Sequence, residues 1–370
     1  MATAPSTATA AAPPRVAGNP LLWLRLNLFG SVKNVILSVL SLALIVAVLP
    51  PLVRWTITDA VWGAVGPDVC RTADGACWAF IHEKYRLILF GRFPYAEQWR
   101  PFAGILLLIA MIAVSCNRRF WRAWLGVLWL GGLAVFFALL WGGFLGISYV
   151  PTRLWGGLTL TLILSVVGIV VAFPLGVLLA LGRRSRMPVM RAFSVVYIEL
   201  IRGVPLVSLL FMASFMLPLF LPVGVNIDAL LRAQIAIILF TSAYLAEVVR
   251  GGLQAIPRGQ YEAAEALGLG YWLRMRKIVL PQAIRTVIPP IVNSFIALFK
   301  DTSLVAIVSL TDLMLSTRQA IADPNWRAYF IEGYVFIALI YFAFCFFMSK
   351  YSQYLERQLR TGHSRRQDMA

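Results

Sequence analysis

Long apolar stretches alternate with short polar ones along the whole chain. Mostly apolar runs cover Asn34–Val53, Phe102–Cys116, Trp121–Trp141, Leu158–Leu181, Phe193–Leu221, Ala229–Val249, Ile284–Leu310 and Tyr329–Met348. A helix needs about 20 such residues to cross the hydrocarbon core of a bilayer. Helices are favoured there because they satisfy their own backbone donors and acceptors. The pattern predicts an all-α, polytopic membrane helical bundle of about eight transmembrane helices, the second being the shortest. Two runs exceed the bilayer, Phe193–Leu221 and Ile284–Leu310. They carry Pro205, Pro218, Pro289 and Pro290, so kinks, tilt or a broken helix are expected in them.

Composition agrees with this pattern. The chain has 370 residues, of which 60% are hydrophobic and 13% charged, against about 25% charged in soluble domains. The formal net charge of +17 would suggest nucleic acid in a soluble protein. Here the basic residues gather in loops between apolar runs, so a nucleic-acid partner is not expected. About 21 of them fall on one side: Arg15, Arg25 and Lys33; Arg118, Arg119 and Arg122; Arg183 to Arg191; Arg250 to Arg285; and the tail from Lys350 to Arg366. The opposite loops hold about 10, roughly six of them in the single long loop Arg54–Arg100. The positive-inside bias places both termini in the cytoplasm and the long loop outside.

Residues Ala2 to Pro14 lack a basic start and an apolar centre, so they read as a disordered tail and not as a secretory signal. Trp23, Leu24, Leu26 and Phe29 beside Arg25 suit either a short interfacial helix or a plain linker. Cys116 and Cys345 sit in or at the ends of apolar runs, as packing residues do. Cys70 and Cys77 bracket a polar segment of the external loop, where a small disulfide is plausible. With His82 they do not complete a zinc tetrahedron, so no metal site is expected.

The chain divides near Thr152. A tail covers 1–33. An extension of about three spans covers 34–151, with its external loop at 54–101. A core of about five spans covers 152–357 with a cytoplasmic loop at 251–283, and a tail covers 358–370. No Lys follows a Gly, so no P-loop exists. The two histidines, His82 and His363, leave little material for Ser/His/Asp or zinc catalysis. A transport role without its own ATPase site, and without a cofactor, is expected.

Within the cytoplasmic loop, Gln260 to Leu267 is rich in Glu, Ala and Leu, a strong helix composition. Gly268 and Gly270 supply a break. Tyr271 to Leu280 predicts a second short helix, stopped by Pro281. Ala263, Ala266 and Leu267 share one face, whose small side chains permit close approach of a partner. On physics alone, an ordinary amphipathic cytoplasmic loop fits as well.

Three spaced motifs decide between these readings. Ser242 to Ala264, Glu199-Leu200-Ile201-Arg202-Gly203-Val204-Pro205-Leu206, and Phe299-Lys300-Asp301-Thr302-Ser303-Leu304 occur in the chain. Together they resemble the polar amino-acid subfamily of ABC importer permeases, over about Thr152 to Arg357. The extra N-terminal spans depart from the usual five-span subunit. They resemble the longer, M-type membrane subunit of the bacterial general L-amino acid transporter. The resemblance implies a MetI-like permease core in the bacterial inner membrane, carrying solute delivered by a periplasmic amino-acid-binding protein. It also implies a cytoplasmic ABC ATPase dimer as motor and a homologous permease subunit as partner, the extension favouring a heterodimer. The segment matching the family's coupling loop comprises Gln260, Glu262, Ala263, Ala264, Glu265, Leu267 and Gly268. Its helix would dock on the ATPase, with Glu262 reaching basic groups and Gly268 turning the chain.

Glu199, Arg202, Glu247, Lys300 and Asp301 lie in or at the ends of apolar runs. Such groups are costly in lipid and usually face a bundle interior or a wet cavity. Glu199–Arg202 and Glu247–Arg250 are spaced i, i+3 and suit pairing on one helix face, either as structural ion pairs or as part of a pathway. Lys300, Asp301 and Asn293 offer a zwitterionic amino acid a cation, an anion and an amide, unless specificity resides wholly in the binding protein. Thr302 and Ser303 extend that polar stripe or merely back-bond to carbonyls. The Phe211, Met212, Phe215 and Met216 cluster suits helix packing. Gly168, Ala172, Gly176, Ala180 and Gly182 form a small-residue stripe that suits tight helix contact, as at a subunit interface. An ion-coupled transporter or channel is the main rival, and it would show inverted repeats that the sequence lacks. A membrane-embedded hydrolase is a weaker one.

Overall fold

The computed structural model describes residue 24 and residues 26–121, 124–144 and 146–367. Of the expected tails, residues 1–23, Arg25 and residues 368–370 lie outside the described residues, and so does Arg122. The chain is 80% helical, with no strands among the described residues. Among the described residues seven helices are long and apolar enough to cross a membrane, or up to eight when a bent pair counts as one span. Met1–Trp78 and Ala79–Ala370 form two compact units. The expected division near Thr152 falls inside the second.

In the first unit, α1 (Val32–Val53) is capped by Ser31, whose side chain accepts from Asn34 N–H, and it has no buried residue. It runs on as a π turn, Arg54–Thr58. Beyond it the chain turns polar and folds around α2 (Pro67–Arg71). A disulfide joins Cys70 to Cys77 with their Cα atoms 5.6 Å apart. The Trp78 indole donates to Thr56 O at 2.8 Å.

The second unit opens with α3 (Ala79–Phe90), which the sequence pattern had left within a loop, followed by α4 (Trp99–Cys116) and α5 (Trp124–Trp141). Arg100, counted above as a loop charge, is fully buried. It donates to Leu139 O at 2.6 Å, Leu140 O at 3.0 Å and Ser148 O at 2.9 Å. A cation thus satisfies carbonyls at the C-terminal end of α5, where the helix dipole favours it.

The centre of the unit is α6 (Gly157–Arg183) crossing α9 (Ala229–Gln254), with α7 (Pro188–Gly203) and α8 (Leu206–Phe211) between them in sequence. The small-residue stripe lies on this crossing. A Cβ on Gly176 would come 2.8 Å from Leu245 Cβ and 3.1 Å from Ser242 O. Gly182 meets Ser194 of α7, and Gly168 meets Leu298 and Ile237, so the stripe is spent on contacts within this one chain. Between α7 and α8 the path bends by 102°, because Pro205 holds Val204 in an extended conformation (φ −106°, ψ 133°). Past the bend, Phe211, Met212, Phe215 and Met216 lie 41–49% exposed. The Phe211 and Phe215 rings pack on each other with their centroids 4.9 Å apart.

After α9 come α10 (Arg258–Ala266), α11 (Tyr271–Arg274), α12 (Leu280–Thr286), α13 (Ile288–Asp301), α14 (Leu313–Ile321) and α15 (Phe330–Gln367). Pro281 does not stop the second loop helix. A π turn, Met275–Val279, precedes it, and Pro281 sits in the first turn of α12, where no N–H donor is needed. The run Ile284–Leu310 is divided too: α13 gives way at Asp301 to a 3₁₀ stretch, Thr302–Val308.

The short helix α14, also absent from the apolar pattern, is fastened to α6 by buried polar bonds. Gly157 N–H donates to Thr311 O at 2.8 Å, and Leu313 N–H donates to Thr161 Oγ1 at 3.1 Å. Asp312 is fully buried and caps α14 by accepting from Met314 and Leu315 N–H. It lies outside the spans, and burial pushes its carboxyl up to about 6 against those backbone bonds. Asp323, at the far end of α14, is lowered by its hydrogen bond from Lys84 of α3, at 2.8 Å.

Candidate coupling hairpin and charged helix ends

The hairpin of α10 and α11 is built by local rules. Gly268 has φ +70°. Its N–H donates to Glu265 O at 2.9 Å, and Leu269 N–H donates to Ala264 O at 3.1 Å. This pair of bonds is a Schellman cap, and its left-handed position favours glycine. Tyr261, Met275 and Val279 pack with Ala180, Leu181, Ile198, Val249 and Leu253. The hairpin is thus rooted in the ends of α6, α7 and α9.

Among the expected coupling residues, Gln260, Glu262, Ala263, Glu265, Leu267 and Gly268 are exposed. Leu267 is 76% exposed although it is a large apolar side chain. Ala264 is 1% exposed and faces inward, so it cannot touch a docked partner as the motif alone implied. A helix presents only part of its circumference outward, and Ala264 falls on the rooted side. Gln282 Nε2 donates to Gln260 Oε1 at 3.1 Å, tying α12 to α10. Glu265 pairs with Arg274 at 3.2 Å across the hairpin. Glu262 lines a cavity of about 350 Å³ with Arg184, Arg258 and Tyr261. Arg184 donates to Leu253 O at 2.8 Å. This C-terminal cap of α9 was legible only as a basic residue in a loop.

The second group lies where α6, α7 and α9 converge. Glu247, on α9, receives Arg183 at 2.8 Å, Arg250 at 2.8 Å and Arg202 at 3.6 Å. Its side chain is 15% exposed. The expected Glu247–Arg250 pair is present, but the Glu199–Arg202 pair is not. Glu199 pairs instead with Arg183 at 2.9 Å, and Arg202 leans to Glu247 and over the Tyr244 ring at 5.5 Å. Arg183 comes from another helix, and its planar fork reaches two carboxylates at once. Sequence spacing detects partners on one helix and had no means of nominating Arg183.

The third group ends α13. Lys300 is exposed and Asp301 half-buried, and neither makes an ion pair within 4.0 Å among the described residues. Asn293, two turns earlier, is exposed. Ser303 donates to Lys300 O and Thr302 to Phe299 O, both at 2.8 Å. Thr302 is fully buried, so its hydroxyl serves the backbone and is closed to a passing solute. Among the described residues no hydrogen bond or ion pair joins this group to Glu247, whose partners are Arg183, Arg202 and Arg250, so the expected pathway residues fall into two sets.

Residues 172–361 match the family model described as the binding-protein-dependent transport system inner membrane component. The chain belongs to this family of ABC transporter permeases. This permease is 49% identical over 367 residues to the inner membrane amino-acid ABC transporter permease protein YhdY of Escherichia coli (strain K12), spanning 95% of the present chain and 97% of that relative. It is 40% identical to the glutamate/glutamine/aspartate/asparagine transport system permease protein BztC of Rhodobacter capsulatus, over 92% of this chain and 94% of the relative. The probable glutamine ABC transporter permease protein GlnP of Bacillus subtilis is 35% identical, over 55% of this chain and 92% of its own. The family model begins after the first three spans. The permease is a multi-pass inner-membrane transport subunit, as the apolar pattern and the resemblance implied.

Proposed function

We propose that this permease carries L-amino acids into the bacterial cell as one half of an ATP-driven importer. The reading is carried by likeness along nearly the whole chain, extension included, to relatives named as amino-acid permeases. A periplasmic amino-acid-binding protein delivers the solute, and a dimer of cytoplasmic ATPase subunits drives the cycle. The second half of the pathway is a homologous permease subunit, so the assembly is a heterodimer. Both termini lie in the cytoplasm, and the loop holding the Cys70–Cys77 disulfide faces the periplasm. The core from Thr152 onward does the transport, and the extension before it is an addition to that core.

The exposed side of the hairpin, Gln260, Glu262, Ala263, Glu265, Leu267 and Gly268, is the surface the ATPase grips. Ala264 belongs to the root. Because that root packs on three helix ends, motion of the ATPase reaches α6, α7 and α9 as a rigid-body displacement. Glu199, Arg202 and Glu247 hold those ends together. Lys300, Asp301 and Asn293 border the solute path, with Ser303 beside them.

The test is reconstitution with the companion permease, ATPase and binding protein in proteoliposomes. Uptake of labelled L-amino acids should require internal ATP and the binding protein. Uptake driven by a sodium or proton gradient without the ATPase would refute the reading.

A further inference from the structure

We propose that Arg232 binds the α-carboxylate of the passing amino acid. The inference rests on the reading above that the solute is an L-amino acid and that α9 begins on the outer side.

Arg232 lies half-buried within the span Ala229–Gln254, in the first turn of α9. That end of a helix is positive and disfavours a cation. A charge inside a span calls for a partner, and the carboxylate at the right spacing is Asp228, one turn earlier. Asp228 is committed elsewhere. Its side chain accepts from Leu230 and Leu231 N–H as the cap of α9, and from the Thr152 hydroxyl. No carboxylate lies within 4.0 Å of Arg232 among the described residues.

A snorkelling arginine would turn its head to water or lipid headgroups. Arg232 turns instead onto the π turn Met212–Met216, where its Nη1 donates to Ser214 O at 2.6 Å. Single π turns recur at functional sites. Two polar atoms of this bonded pair, Arg232 Nε and Ser214 Oγ, are buried and have no partner among the described residues. Ser214 is only 8% exposed. The edge of the guanidinium left over, Nε with Nη2, is one that grips a carboxylate through two parallel bonds. The Ser214 hydroxyl adds a third donor. Nε is covered in this structure, so the side chains over it must part before solute is held.

The same turn carries the half-exposed Met212, Phe215 and Met216. Just before it, α8 packs both on α9 and on the 3₁₀ stretch that follows Lys300 and Asp301. It thus links the turn that Arg232 grips to the group placed beside the solute path.

The test uses this permease assembled with its companion permease and ATPase in nanodiscs, without the binding protein. The probe is the labelled L-amino acid that the wild-type importer takes up fastest. In equilibrium dialysis the unlabelled acid should displace it at least about tenfold better than the corresponding α-amide, the worth of one charge-assisted bond. Arg232→Gln should erase that preference. Arg232→Lys, which keeps the charge and loses the fork, should retain part of it. A wild-type complex that binds no solute, or binds acid and α-amide alike, overturns the proposal even where Arg232→Gln fails to assemble. So does an assembled Arg232→Gln complex that keeps the preference, including one that has lost anionic lipid or its companion subunit instead. An importer that takes up no L-amino acid with ATP and binding protein present refutes the functional reading beneath, which is a separate failure.

Discussion

Replacing Gly268 with Val tests the hairpin through its backbone. The residue sits at φ +70°, and a Cβ there would meet nothing within 4 Å. The first side-chain atom thus has open space around it. What remains is the intrinsic cost of the left-handed conformation, about 1–2 kcal/mol for an ordinary L-residue and more for a β-branched one. That lowers the native turn population by about five- to thirtyfold relative to alternatives. The root formed by Tyr261, Met275 and Val279 stays apolar and packed, so membrane insertion should be unaffected. In proteoliposomes carrying the whole importer, Gly268→Val should hydrolyse ATP yet move about fivefold less solute per ATP, or lower still. Gly268→Asn is the control, because Asn tolerates this conformation, and it should transport near the wild-type rate. Equal coupling ratios in Val and wild type would refute the reasoning. An Asn variant as damaged as Val would show that the absent side chain matters, not the sign of φ.

Further outcomes are expected elsewhere. Glu247→Gln leaves three guanidinium groups without their shared carboxylate; with side chains 23–36% exposed the loss should be about 1–3 kcal/mol, between the surface and buried limits. Chemical or thermal unfolding in detergent measures it, and a change below about 0.3 kcal/mol would mean the cluster holds nothing together. Lys300→Ala should slow uptake while the complex still assembles; an unchanged rate and selectivity would return Lys300 to a structural role. Asp312, pushed up to about 6 by burial, binds its proton more tightly in the folded chain than in the unfolded one. Its stabilising effect is complete below the usual carboxylate range and fades as pH rises through about 6. Asp312→Asn keeps the cap and should flatten the fall in melting temperature over that window; an unaltered slope would assign the pH dependence to other groups.

The helix inventory was largely legible because each span is a local property. Twenty apolar residues declare themselves without reference to any neighbour, and Pro205 announced the break after Val204 by its own ring. Gly268 was legible for the same reason, as a glycine closing a strong helix former. The short helices α3 and α14 escaped because their lengths and polarity resemble loops until they pack. Pro281 misled because its effect depends on the π turn before it, which no residue in Met275–Val279 advertises.

The charged residues mark the limit most clearly. Hydropathy identified Glu199, Arg202, Glu247, Lys300 and Asp301 as costly in lipid, and nothing beyond the chain was needed to see it. Only the packing of α6 against α7 and α9 could pair Glu199 with Arg183, turn Ala264 inward, bury Arg100 against carbonyls of α5, and spend the Gly176 stripe on a contact within the chain. Apolar periodicity is written along the backbone at a fixed spacing, whereas the partner of a side chain depends on which distant helix arrives beside it. The sequence by itself determined that this protein is a helical membrane permease with an exposed polar hairpin; the tertiary structure decided which charges meet, because those meetings are made across helices.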